Sequence, residues 1–353
     1  MTKERVAHLA KRFINLEIIG LAFLLPLFFL PVTTEFFEFN KLSLLAIATV
    51  LGYLAWGISS VARGGIAFKR SPFDWPILIL WLVTLLSTIL SDEPLTFLLG
   101  PSARALPSLT TVTIFTLFYF LLSSNLGVRT LRWVSGAMMV SAAGAVLLFL
   151  PQYFGLNPLG QSWSEARSFT PLGSPTALAV FATLAAILSL REIFSPHWKK
   201  WQKISLGILA GFLLLAPLLI YAPVDLSGKG DFPREARPNL RTSWSVSATS
   251  FRQNPFWGSG PGTFLFDFTR YKPLSFNQTP FWSVNFDKPL SEYLLIFAEM
   301  GLLGILAYLF LITQFIRFTA SNGWGFSTLL GGTVLLTYLI SPATAVSSFL
   351  LFL

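Results

Sequence analysis

The chain is 353 residues long, 54% hydrophobic and 12% charged, with a net charge of +9. Soluble globular chains carry about 25% charged residues, so the composition excludes an ordinary water-soluble domain. The absence of cysteine excludes disulfides, thiolate metal sites and cysteine nucleophiles, and the basic excess sits in short loops between apolar runs, which is a topology signal and not a nucleic-acid footprint.

In chain order, apolar runs bounded by charge or turn residues predict membrane-spanning helices near 14–31, 42–62, 75–91, 108–124, 133–150, 174–190, 204–222, 290–316, 324–340 and 342–353. About 20 residues cross a bilayer. The expected fold class is therefore an all-α polytopic membrane protein with about ten transmembrane helices. The first run is long and has no small-residue cleavage site behind it, so it reads as a span and not as a signal peptide. The last run reaches Leu353 in mid-hydrophobic sequence without a charged stop. A longer form with ten to twelve spans is the expectation there.

Loop charge sets the orientation. Lys3, Arg5, Lys11 and Arg12, then Arg63, Lys69 and Arg70, Arg129 and Arg132, Arg191, Lys199, Lys200 and Lys203, and Arg317 all fall on one side. The short loops opposite hold Lys41, Arg104 and Arg167. The positive-inside rule places the N-terminus and the basic loops in the cytoplasm. Segment 223–289, between the seventh and eighth runs, is then extracytoplasmic and the longest loop. Three regions follow: an N-terminal bundle of about seven spans over 1–222, the large loop over 223–289, and C-terminal spans over 290–353. Loops of this length are usually functional. This one is rich in aromatics, from Trp244 to Trp282, so it should pack and not stay disordered. Within it, LRTSWSVSATSFRQ at 240–253 reads as a short helix, and NPFWGSGPG ends it in a rigid turn.

Arginine presents a planar fork suited to phosphate and keeps its charge in apolar surroundings. Four outward arginines are candidates: Arg104, Arg167, Arg241 and Arg270, the last beside Lys272. Arg167 precedes a Gly173-Ser174-Pro175 turn at a helix start, where backbone N–H groups can face an anion. The bland alternative is that such arginines snorkel to headgroups. Glu292 and Glu299 lie seven residues apart on one face of the eighth predicted span. Carboxylates at membrane depth are costly and point to function, with a structural partner as the competing reading. Gly301 and Gly304 suit close helix packing. The histidines, His8 and His197, fall on cytoplasmic segments; no metal cluster, Walker motif or dinucleotide fingerprint is present, and no cofactor is expected.

Taken together, RSFTPLGSPTALAVF (167–181), Arg241 on its loop helix, NPFWGSGPGTF (254–264) and SEYLLIFAEMGLLGIL (291–306) resemble the O-antigen ligase and O-antigen polymerase family of bacterial membrane glycosyltransferases. Bacterial protein O-oligosaccharyltransferases are similar. The matched parts cover about a quarter of the chain, mostly glycines, prolines and arginine. The resemblance implies transfer of a glycan from undecaprenyl diphosphate to an acceptor on the outer face of the inner membrane. That acceptor would be the lipid A core, a growing polysaccharide or a protein hydroxyl. It implies no metal and no nucleotide, with Arg241, Arg167, Arg104 and Arg270 binding the diphosphate. Glu292 would be the base or acceptor-orienting group, supported by Glu299 and by Gly258, Gly260 and Gly262. The ligase branch carries a histidine where this chain has Leu290. That departure keeps a non-catalytic relative and a lipid-linked glycan flippase open as alternatives. Spans nearly free of charge argue against the flippase.

Overall fold

The computed structural model describes residues 2–33, 35–66, 68–91, 108–196, 198–222, 225–233, 235–323 and 325–353. Among these residues the α-helices are, in order, α1 (Lys3–Leu27), α2 (Glu38–Arg63), α3 (Asp74–Ile89), α4 (Leu109–Asn125), α5 (Val128–Tyr153), α6 (Pro175–Ile193), α7 (Lys200–Tyr221), α8 (Leu240–Gln253), α9 (Phe264–Tyr271), α10 (Glu292–Glu299), α11 (Gly301–Asn322), α12 (Phe326–Thr337) and α13 (Ala345–Phe352). No strand occurs among the described residues. Among the described residues five helices, α2, α5, α6, α7 and α11, are long and apolar enough to cross a membrane, and α3 and α4 are shorter apolar helices. The protein is a helical membrane protein.

The chain divides into two compact units, one built from Met1–Lys69 and Leu121–Glu235, the other from Arg70–Phe120 and Ala236–Leu353. In the first unit α1 packs on α2 and α5, and α6 packs on α7. The buried face of α6 carries Ala179, Ala182, Ala185 and Ala186, and that of α5 carries Ala142 and Ala145. Small residues let helix backbones approach where lipid supplies no hydrophobic drive for association. Leu54, Leu147 and Ile208 are exposed on these helices, as lipid permits. Local signals end the helices where chemistry requires. Gly64 caps α2 at φ 77°, and the Ser174 side chain accepts from the Ala177 N–H with Pro175 opening α6.

The second unit holds α3, most of α4, and α8 to α13. Its loop segment folds around buried Val246, Phe264, Phe268, Phe276, Phe286, Leu295 and Ala298. Phe268 meets Phe276 edge-on at 5.2 Å and Phe286 at 5.4 Å. Each such buried ring contributes about 1.5–3 kcal/mol of apolar transfer. The short helix expected over 240–253 is α8.

The eighth predicted span, 290–316, is not one helix. It breaks at Met300 (φ −118°, ψ −2°) and Gly301 (φ 59°) into α10 and α11. The apolar run carried no sign of this, because Gly301 reads equally as a packing glycine. The 22 residues of α11 span about 33 Å at 1.5 Å per residue, enough for a hydrocarbon core of about 30 Å without α10.

Candidate functional site

The site in the second unit is built on that break. A helix interrupted inside the protein leaves carbonyls and N–H groups that must find partners there. Segment 254–263 supplies them. The Ser259 N–H donates to the Ala298 carbonyl (3.1 Å) and the Gly260 N–H to the Glu299 carbonyl (2.9 Å). In return the N–H groups of Leu302 and Leu303 donate to the Pro255 and Phe256 carbonyls at 2.9 and 3.1 Å. From α3, the Ser87 hydroxyl lies 2.7 Å from the Trp257 carbonyl and 2.9 Å from that of Glu299. The elbow thus completes the backbone bonding of the broken helix.

Glycine is required at the junction. Gly258 has φ 72°, and a Cβ there would run into the Glu299 carbonyl. Gly301 is its counterpart, where a Cβ would lie 2.7 Å from the Gly258 nitrogen and 2.8 Å from the Pro255 oxygen. Left-handed φ combined with backbone on the Cβ side leaves room for no other residue. Gly260 and Gly262 also lie in the left-handed range, at φ 112° and 82°.

Two buried acids hold the elbow. Glu299 Oε1 accepts from the Phe264 N–H at 3.0 Å, tying the elbow's exit to the end of α10. Asp267 Oδ2 accepts from the Ser250 hydroxyl (2.9 Å) and the Ser259 hydroxyl (2.6 Å), joining α8, the elbow and α9. Burial raises the Asp267 carboxyl above its ordinary value, against the hydroxyl bonds and the charge of Arg270, which lower it. The sequence offered no signal for Asp267, an acid on a short aromatic helix.

Helix α8 positions the other edge. The Asn239 side chain accepts from the Thr242 N–H at 2.8 Å and opens it. Its buried face is Thr242, Ser243, Val246, Ser247 and Ser250. The Leu290 N–H donates to the Ser243 hydroxyl at 3.0 Å, and Ser250 reaches the Ala298 carbonyl, so α8 and α10 run side by side in one direction. Phe297 stacks between Trp244 (5.7 Å) and Phe251 (4.3 Å).

Glu292 stands at the head of α10, 6% exposed. Its Oε2 accepts from the Ala343 N–H at 2.7 Å. Lys288 Nζ donates to the carbonyl of the same residue at 3.1 Å. One residue therefore spaces a carboxylate from an ammonium. Both line a cavity of about 70 Å³ together with Tyr308, Tyr338, Thr111 and Ser348, walled by apolar side chains including Val112 and Leu295. Among the described residues no group hydrogen-bonds Glu292 Oε1. A carboxylate oxygen left open beside a cavity can accept a proton from a bound hydroxyl. Lys288 was not singled out by the sequence, where a lysine before a span reads as a headgroup anchor.

The candidate cations are placed differently. Arg241 is exposed on the first turn of α8 and has no partner among the described residues. About 200° of helical turn separates it from Ser243, which faces α10, so Arg241 projects from the opposite side. Arg270 is exposed on α9 and lies 5.5 Å over the Tyr271 ring. Arg104 lies outside the described residues.

Arg167 belongs to the first unit and is fully engaged there. Its guanidinium pairs with Asp225 at 2.7 Å and donates to the Ser227 hydroxyl (2.6 Å), the Gly230 carbonyl (3.1 Å) and the Tyr153 carbonyl (3.0 Å). It also packs against the rings of Tyr153 and Phe232. Burial pushes the Asp225 carboxyl up, but the bonds from the Ser227 backbone, Arg167 and the Ser227 and Tyr153 hydroxyls outweigh it and hold it well below the usual carboxylate range. A group depressed in this way stabilises the fold above its ordinary value of 3.8 and loses that contribution as pH falls below it. Thermal denaturation in detergent should therefore show a midpoint that drops below about pH 4. In Asp225→Asn that acid-specific drop should vanish, and an unchanged profile would remove the ion pair from the account.

Among the described residues no group of three or more His, Cys, Asp or Glu side chains could hold a metal. Comparison of the chain with protein-family models and with curated protein sequences finds no match.

Proposed function

We propose that the chain is a membrane glycosyltransferase of the O-antigen ligase and polymerase type. It would move a glycan from undecaprenyl diphosphate to a hydroxyl acceptor on the outer face of the bacterial inner membrane, without metal or nucleotide. The acceptor is the lipid A core, a growing polysaccharide or a protein. The topology that goes with this reading has about ten spans, a cytoplasmic N-terminus and segment 223–289 on the outer side. The observation that carries it is the docking of 254–264 onto 291–306: the two stretches that bear the resemblance bond to each other backbone to backbone. At the other end of α10, Glu292 stands beside a cavity.

In this reading the acceptor oxygen attacks the anomeric carbon while the carbon–oxygen bond to the diphosphate breaks. The hydroxyl proton goes to Glu292 Oε1, and the bonding pair leaves with the diphosphate. Glu292 takes the place of the ligase histidine, whose position is Leu290. Arg241, unpaired on the exposed face of α8, meets the diphosphate, with Arg270 and Arg104 adding positive charge. Arg167 could take a phosphate only by releasing Asp225, so Arg241 is the first cation to test. Fixed cations that face the charge developing on a leaving group lower the barrier without any reorganisation at the moment of reaction.

Purified protein incubated with an undecaprenyl-diphosphate glycan in chelator should release the lipid diphosphate. Arg241→Ala should slow that release by 10-fold or more, in line with loss of a charge-assisted contact of about 1.5–3 kcal/mol. Release by neither protein would leave a non-catalytic relative as the better reading.

A further inference from the structure

We infer that the cavity beside Glu292 is the seat of the acceptor and takes a single hydroxyl-bearing arm, such as a hydroxymethyl group or a serine side chain, and not a sugar ring. The inference rests on the transferase reading and adds the substrate class of the acceptor end. It stands on the size and lining of the cavity. A volume of about 70 Å³ is about half of the roughly 150 Å³ of a cavity that takes a benzene ring. The walls include Leu80, Val112, Phe115 and Leu295, which suit a methylene, and the polar end holds Glu292, Lys288 and Tyr308. Glu292 Oε2 is committed to the Ala343 N–H, so Oε1 is the oxygen that can receive a hydroxyl proton. Lys288 keeps N–H groups beyond the one bound to Ala343, available to a hydroxyl oxygen. The pocket thus offers an acceptor for the O–H, donors for its oxygen, and apolar walls for the carbon that carries it. In the transfer, the oxygen of that arm forms the new bond to the anomeric carbon, its proton passes to Glu292, and the diphosphate departs with the electrons of the broken bond.

The test uses the full chain in detergent and two acceptor probes, methyl glucopyranoside and its 6-deoxy counterpart, which lacks the primary hydroxyl. Two readings are taken: transfer to the probe and release of lipid diphosphate to water without any probe. Wild type should prefer the probe with the hydroxymethyl group by 10-fold or more in kcat/KM. Val112→Phe, which fills the apolar wall, should raise the KM for that probe by 10-fold or more and remove its advantage over the 6-deoxy probe. Val112→Leu should fall between the two and guards against misfolding of the larger variant. Equal use of both probes, or unchanged transfer in both Val112 variants, overturns the cavity as the acceptor seat and leaves the transferase reading standing. Absence in wild type of both release to water and transfer to either probe overturns the transferase reading itself. Equilibrium binding of the two probes then decides the cavity separately, since only a hydroxymethyl seat distinguishes them and loses that distinction in Val112→Phe.

Discussion

Gly258→Ala is expected to leave the protein unable to form the junction between its elbow and its broken helix. Two costs combine. A left-handed φ of 72° strains any residue with a Cβ, by about 1–2 kcal/mol. The added carbon would also meet the backbone of Glu299 and Met300, which cannot rotate aside as a side chain could. Overpacking of a rigid neighbourhood costs about 1–3 kcal/mol more. A total of about 2–5 kcal/mol is a large share of the 5–15 kcal/mol by which native proteins are stable. The expected result is a marked fall in Tm in detergent, together with poor recovery of monodisperse protein. Gly301→Ala should act alike, because its Cβ would meet Gly258 and Pro255 from the other side. Gly136→Ala, at a helical site with open space around it, is the control and should change little. Equal melting of Gly258→Ala and wild type would show that the elbow does not bear on the broken helix.

Glu292→Gln should remove transfer and keep the fold. The glutamine oxygen can still accept the Ala343 N–H, so the 2.7 Å bond has a neutral replacement. What the amide cannot do is take a proton from a hydroxyl. Positioned general bases contribute about 10²–10⁴-fold, and a loss of that order in transfer is expected with a nearly unchanged Tm. Release of lipid diphosphate to water should fall by the same order, since water also needs its proton removed. Transfer within threefold of wild type would exclude Glu292 as the base and shift the work to the arginines alone. Loss of transfer together with a collapsed Tm would instead assign Glu292 a structural role, as the clamp on Ala343.

Much of the architecture was legible in the residues, because its causes are local or nearly so. A run of about 20 apolar residues must become a helix at membrane depth, since only internal hydrogen bonding satisfies its backbone there. That rule alone marks α2, α5, α6 and α7. Capping is equally local. Asn239 before α8 and Ser174-Pro175 before α6 act within one turn of themselves, so the helix over 240–253 and the start at Pro175 could be read from sequence.

The tertiary structure decided everything that depends on two distant segments meeting. Whether a glycine in an apolar run permits packing or breaks the helix depends on what lies against it, and Gly301 breaks its helix because residues 254–263 satisfy the groups it frees. Arg167 and Arg241 read alike as outward arginines, yet Asp225 pairs with one and nothing among the described residues pairs with the other. Lys288, Glu292 and Ala343 form one polar end because the turn before α13 returns to the head of α10. Hydropathy and spacing fix which backbone groups satisfy themselves along the chain. Which buried charges and freed backbone groups find partners is a property of the fold, since each partner lies tens of residues away and its identity leaves no periodic trace.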